Sequence, residues 1–230
     1  MTINDLREEM EIELTWRTDE FRMLKNNIAY IIKDEDKLKY RKSLVVMLYA
    51  NFEGFSKICL LSYVKYINSL NLKRKDLYSK PELIASSMNN IFKSYDNKDK
   101  KCEFFKTKLP EDKNLHSVFR RADLIHGFEK FMEERILLDD EVINTESTLW
   151  SHVLSKNLYV LGLNYDVFKQ YHLDIDRLVN MRNNIAHGSE KQGITEKVLE
   201  KIEKSILKDV MPKIITLLSR EANLLKKVCS

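Results

Sequence analysis

The chain has 230 residues, 43 % of them hydrophobic and 32 % charged, with a formal net charge of +4. That apolar share suffices for a sizeable core, and the mild positive charge admits an anionic partner without requiring one. Sheets and barrels need many turns, and five glycines and three prolines are few for them, so the composition favours long helices with few connections.

Residues 3–33 place Ile3, Leu6, Met10, Leu14, Phe21, Leu24, Ile28 and Ile31 at helical intervals, which predicts an amphipathic helix. Residues 34–70 predict a second long helix. Asp34, Glu35 and Asp36 suit its positive end, and its middle is apolar nearly all round, as expected of a helix running through the core. Gly54 inside it costs up to ~1 kcal/mol against Ala, so a close helix–helix contact is expected there. Residues 71–81 read as a basic loop. Pro81 starts a short helix through about Phe92, and 93–114 is a long polar loop, so 71–114 forms a polar, basic loop region. Residues 115–143 fit either one helix or a helix broken at Gly127. Asn144 or Thr145 then caps a helix that runs to about Leu161 and stops at Gly162. Residues 173–188 predict a helix capped by Asp174, with Ile175, Leu178, Val179, Ile185 and Ala186 inward and Gly188 as its stop. Residues 195–228 form a last long helix, capped by Thr195 and kinked at Pro212, whose ring cannot continue the hydrogen-bond ladder. No linker divides the chain, so a single all-α domain over 1–230 is expected.

The three cysteines, Cys59, Cys102 and Cys229, show neither metal spacing nor an even disulfide framework. A reducing, cytoplasmic setting is the simplest account. The acidic start "MTINDLREEMEIEL" is unlike a signal peptide, and the runs "LVVML" and "ICLL" fall far short of the ~20 residues that span a bilayer. A soluble protein without membrane attachment is expected.

The chemistry concentrates in "RNNIAHG", residues 182–188. On a helix Asn183 and His187 share a face and Arg182 lies to one side; the three can converge where the last turn loosens before Gly188. Metal-free RNA cleavage uses such parts. An imidazole, with an ordinary pKa of ~6.5, takes the proton of a ribose 2′-hydroxyl. A guanidinium steadies the charge that builds on the phosphate, and an amide orients them. The plainer reading is a helix C-terminus that favours cations. "RADLIHG" (121–127) repeats the spacing with Arg121 and His126, so spacing alone does not choose between the copies. The later copy has asparagine after its arginine and an amphipathic helix leading in. The earlier one has Asp123 and reads as a decoy or a surface phosphate contact.

"LVNMRNNIAHG" resembles the signature of the HEPN superfamily, whose ribonuclease members carry R-x4-6-H with a polar residue, often asparagine, after the arginine. "LYANFEGFSKICLLSYVKYIN" (48–68) is similar to an upstream helix block with "EGF" in one bacterial HEPN family. The resemblance implies a HEPN-like helical bundle and a homodimer that joins two R-x4-H motifs. It also implies metal-independent endoribonuclease activity without cofactors, with Arg182, Asn183 and His187 as the site. Many such proteins are toxins paired with antitoxins, or antiviral defence effectors with partner proteins. Relatives silenced by adenylylation often carry tyrosine two residues after the histidine; here Ser189 stands there.

Glu53 sits in an apolar helix, where a carboxylate needs a partner. It fits a role in orienting Arg182 or His187 across the bundle, and equally a structural salt bridge or a partly exposed position. Tyr49 and Asn51 stand near enough to support the same site. His116, His152 and His172 lack metal-ligand spacing and read as surface or helix-face residues. "LKRKDLYSK" (72–80) and "KDKKCEFFKTK" (98–108) interleave lysines with rings, as in a groove that tracks an RNA strand, with Lys73, Arg74, Lys75, Lys100 and Lys101 as contacts; a solvated loop is the duller reading. Besides a ribonuclease, the pattern admits a non-catalytic HEPN module that binds RNA, nucleotide or a partner protein as antitoxin or sensor, and a plain helical interaction protein.

Overall fold

The computed structural model describes residues 1–97, 100–105, 108–109 and 111–228, so Cys229 and part of the 98–108 stretch lie outside the described residues. Helix α1 (Ile3–Asn26) starts in a capping box: the Asp5 amide donates to Thr2 Oγ1 at 3.1 Å and the Thr2 amide to Asp5 Oδ2 at 2.7 Å. It ends earlier than its periodicity predicts, in a 3-10 turn at Asn27–Tyr30. Helix α2 (Asp34–Ser69) opens on three acids and is the centre of the fold, packed by α1, α7 (His172–Ala186), α8 (Glu196–Glu203) and α9 (Met211–Val228). One apolar cluster runs from Leu6 to Leu225 through Phe52, Phe55, Tyr63 and Leu178.

By length and composition α2 could cross a membrane, but 56 % of its most apolar window is buried within the fold, which makes it a core helix. Its place in the core is the one its sequence predicts; its short apolar runs hide its overall hydropathy because only one or two polar residues at a time interrupt them. Gly54 sits where α1 approaches: a Cβ there would stand 3.0 Å from Arg17 Nη1. The close partner is thus an arginine head, half-shielded by Trp16 and paired to Glu13 at 3.1 Å, not a bare backbone.

Between α2 and α6 the chain is more helical than expected. The single helix expected over 81–92 is two, α3 (Pro81–Ser87) and α4 (Asn89–Asp96). Helix α5 (Lys113–Glu133), capped by Asp112 through a 2.8 Å bond from the Leu115 amide, runs unbroken through Gly127. Asn144 and Thr145 cap nothing: Glu146 and Ser147 take positive φ and turn the chain, and α6 (Ser151–Val160) begins later. Gly162, at φ +63°, ends it as the sequence predicts.

Pro212 acts through a π-helical stretch, Lys204–Val210, which joins α8 to α9. The widened turn directly before the proline accommodates its missing N–H and the crowding of its ring against the carbonyl four residues back. Among the described residues there is no strand, only an isolated bridge between Lys73 and Arg135.

Candidate active site at the end of α7

Helix α7 is anchored at both ends before any chemistry is considered. Ile175, Leu178 and Val179 point into the core against α2. Asp174, expected as the cap, lies inside the helix and accepts from Ser205 Oγ at 2.8 Å, tying α7 to the π segment. Asp176 caps a different helix: it takes the Ser151 amide at 2.9 Å and the Ser151 hydroxyl at 3.0 Å, holding the start of α6 against α7. The C-terminus is closed by a Schellman arrangement. Gly188, at φ +72°, donates to the Ile185 carbonyl at 3.1 Å and Ser189 to the Asn184 carbonyl at 2.8 Å. Ala186, expected inward, is exposed, because the last turn has already left the core.

Past the glycine the chain folds back onto α2. Lys42 Nζ donates to the Glu190 carbonyl, the Glu190 carboxylate gathers the Gln192 and Gly193 amides at 2.9 and 3.1 Å, and the Ile194 amide bonds to the Leu38 carbonyl at 3.0 Å.

This frame places the motif residues unequally. Half-buried Arg182 lays its guanidinium over the Tyr49 ring, 4.9 Å from the centroid, and donates from Nη1 to Asn183 Oδ1 at 2.9 Å. Asn183 also receives the His187 amide on its carbonyl at 2.9 Å, so it touches both partners of the motif. The phenol of Tyr49 accepts the Leu149 amide at 3.0 Å, one residue before the Trp150 that opens α6. Glu53, one turn along α2, stands near enough to the same phenol to act on it electrostatically. Burial above all, then Glu53, raises the Tyr49 phenol from its ordinary 10.0, against the Leu149 amide and Arg182, which lower it; the phenol is neutral and able to donate at physiological pH. Arg182, Asn183, Tyr49 and Glu53 therefore form one cluster across α2 and α7. The His187 imidazole stands exposed at the helix end and makes no hydrogen bond or ion pair within the described residues. Asn51 faces away, donating to the Arg17 carbonyl at 3.4 Å.

A family model described as RiboL-PSP-HEPN matches residues 12–220. The chain belongs to that family. No curated protein and no solved structure matches it significantly.

The remaining candidates of this RiboL-PSP-HEPN protein lie elsewhere. Arg121 and His126 are both exposed on α5. The neighbouring Asp123 is ion-paired with Lys100 at 2.6 Å, and that hydrogen bond holds its carboxyl below the usual range. Of the five cations expected to meet RNA, Arg74 does not face solvent at all. It is 5 % exposed and bonds Ser87 Oγ at 2.9 Å, the Phe131 carbonyl at 2.8 Å and Glu134 at 3.0 Å. Lys73 and Lys75 remain at the surface and share Glu133, at 2.9 and 2.6 Å. Lys100 lies over the Tyr95 ring at 4.9 Å, and Lys101 is half-buried. His116, expected at the surface, is buried and accepts the Cys102 amide on Nδ1 at 3.1 Å. Among the described residues no three His, Cys, Asp or Glu side chains are grouped to hold a metal.

Asp176 and the Leu149 amide went unnoticed in the sequence. Their partners lie 25 and 100 residues away, which no local pattern marks.

Proposed function

We propose that this HEPN protein is a metal-independent endoribonuclease that acts as a homodimer in the cytoplasm, as a toxin or an antiviral effector with a partner protein that controls it. The observation that carries the reading is the held arginine beside a free imidazole. Arg182 is fixed by a ring and an amide, as a phosphate-binding cation should be, while His187 is exposed at the same helix end.

In the proposed reaction His187 takes the proton of a ribose 2′-hydroxyl. The freed oxygen attacks the adjacent phosphorus, the P–O5′ bond breaks, and a protonated imidazole returns a proton to the departing O5′. The products are a 2′,3′-cyclic phosphate and a 5′-hydroxyl. The nucleophile belongs to the RNA itself, so the reaction calls for no activated water. Because no side chain among the described residues fixes the His187 tautomer, a second copy of the motif across a two-fold axis is the natural source of the second acid–base group.

The test is incubation of the purified protein with RNA in EDTA, with the 3′ ends of the fragments identified. Cleavage that disappears in His187→Ala and Arg182→Ala but persists in His126→Ala supports the assignment. Equal loss in His126→Ala, or cutting untouched by His187→Ala, overturns it. Salt-sensitive RNA binding without cutting points instead to a non-catalytic module.

A further inference from the structure

We infer that Tyr49 is a positioning residue of this site: its ring is the platform that holds the Arg182 guanidinium in place, and the start of α6 holds the ring. The inference rests on the ribonuclease reading for its kinetic consequence, but its structural content stands apart from it.

The argument begins with what an arginine near a helix end does when left alone. Its side chain has several rotatable bonds, and the last turn of α7 offers only the short Asn183 amide as a partner. A guanidinium held by one hydrogen bond swings about it. A ring face beneath it removes that freedom, because the cation is drawn to the negative face of the ring and the planar head has a surface to lie on. Tyr49 supplies that face from α2, 4.9 Å below.

The ring is itself held at its far end. The Tyr49 hydroxyl has one acceptor role and one donor role to fill. The Leu149 amide takes the first at 3.0 Å, which fixes the ring at its hydroxyl end. Leu149 is fixed in turn, because the next two residues open α6 and Asp176 of α7 grips the amide and hydroxyl of Ser151. The chain of contacts runs from α7 through α6 to α2 and back to Arg182 on α7. The links Arg182–Asn183, Leu149–Tyr49 and Ser151–Asp176 are all hydrogen-bonded, which is the condition under which a half-buried polar group is stiff rather than costly.

The test separates the ring from the hydroxyl. Tyr49→Phe keeps the platform; Tyr49→Leu removes it while keeping apolar bulk. The first readout needs no activity: the Arg182 Nε–Hε signal, assigned by its loss in Arg182→Lys and followed by NMR in each variant. Expected is a shifted, fast-exchanging signal in Tyr49→Leu, and a smaller change of the same sense in Tyr49→Phe, which keeps the ring but loses its Leu149 anchor. An unchanged Arg182 signal in a folded Tyr49→Leu protein overturns the inference. The second readout is RNA cleavage. Loss of a cation–π hold implies a kcat roughly three- to thirtyfold lower in Tyr49→Leu, with KM little changed and a smaller loss of kcat in Tyr49→Phe. Equal rates in wild type and Tyr49→Leu overturn it too. A wild-type protein that cuts no RNA refutes the ribonuclease reading, and the NMR comparison still decides the platform.

Discussion

Gly193 lies so close to Leu38 that a Cβ on it would stand 2.8 Å from the Leu38 carbonyl carbon and oxygen. Its φ of +89° also lies where L side chains are strained. Five residues before it is Gly188, and between them the chain turns from the end of α7 onto the flank of α2. The loop that carries the motif's exit is therefore docked by backbone contact, with the Ile194 amide on the Leu38 carbonyl as its hydrogen bond. The site has a firm floor on one side, α2, and open solvent on the other, where His187 stands.

Gly193→Ala should be strongly destabilising. Both the clash with backbone and the positive φ oppose the new methyl, and neither Leu38 nor the loop can give without breaking the Ile194 bond. A loss of about 2–4 kcal/mol is expected, read as a lower urea midpoint at unchanged slope. A loss under 0.5 kcal/mol would show that the loop is not docked as described.

Gly188→Ala supplies the contrast. This glycine also has positive φ, but nothing lies within 4 Å of where its Cβ would stand. Only the conformational cost remains, so about 1 kcal/mol is expected, and Gly188→Asn should cost less because asparagine tolerates the left-handed region. The ordering Gly193→Ala worse than Gly188→Ala worse than Gly188→Asn is the outcome to check by equilibrium denaturation.

Arg74 and its neighbours Lys73 and Lys75 should part company when each is changed to alanine. Arg74 spans Ser87 on α3 and Phe131 and Glu134 at the end of α5 from a buried position, so its removal strips partners from buried polar groups. A cost of about 2–4 kcal/mol is expected. Lys73 and Lys75 form exposed pairs with Glu133, and each change should stay within ~0.5 kcal/mol. In an RNA-binding titration run well below the melting temperature, Arg74→Ala should leave affinity unchanged, while the double lysine change is the one able to lower it and to flatten its salt dependence.

These residues also mark how far the sequence could be read. The long core helix, the amphipathic α7 and the glycine stop behind His187 follow from periodicity and turn chemistry, which are local. Arg74 looked like a surface cation because a run of Lys and Arg between helices carries no sign that Glu134 and the Phe131 carbonyl wait some sixty residues away. The same holds for α6. Asn144 and Thr145 are good capping residues, yet the helix starts at Ser151, because its orphan amide finds Asp176 on α7 and the intervening residues turn the chain. In the candidate site, Arg182, Asn183 and His187 were legible as a motif, and Glu53 as a carboxylate needing a partner. That Glu53 stands beside the Tyr49 phenol, and that Arg182 lies on the Tyr49 ring, required the tertiary packing of α2 and α7.

Stability should fall as pH rises into the alkaline range, through groups whose burial outweighs any neighbouring cation. Burial pushes the Cys59 thiol up from its ordinary 9.0 and the Tyr63 phenol up from 10.0, and Tyr49 is raised as well. Below those ordinary values folded and unfolded chains hold the same protons, so the groups cost nothing. Above them the unfolded chain releases protons that the folded one keeps, and unfolding gains with each step in pH. Tyr63 is the sharpest probe, since its hydroxyl is buried with no hydrogen-bond partner among the described residues. Tyr63→Phe removes both the unpaired hydroxyl and the titration. It should gain about 1 kcal/mol at neutral pH and lose less than wild type between pH 9 and 11, measured by urea midpoints across that window. A destabilised Tyr63→Phe protein with the wild-type alkaline slope would mean that the hydroxyl has a partner the fold does not reveal.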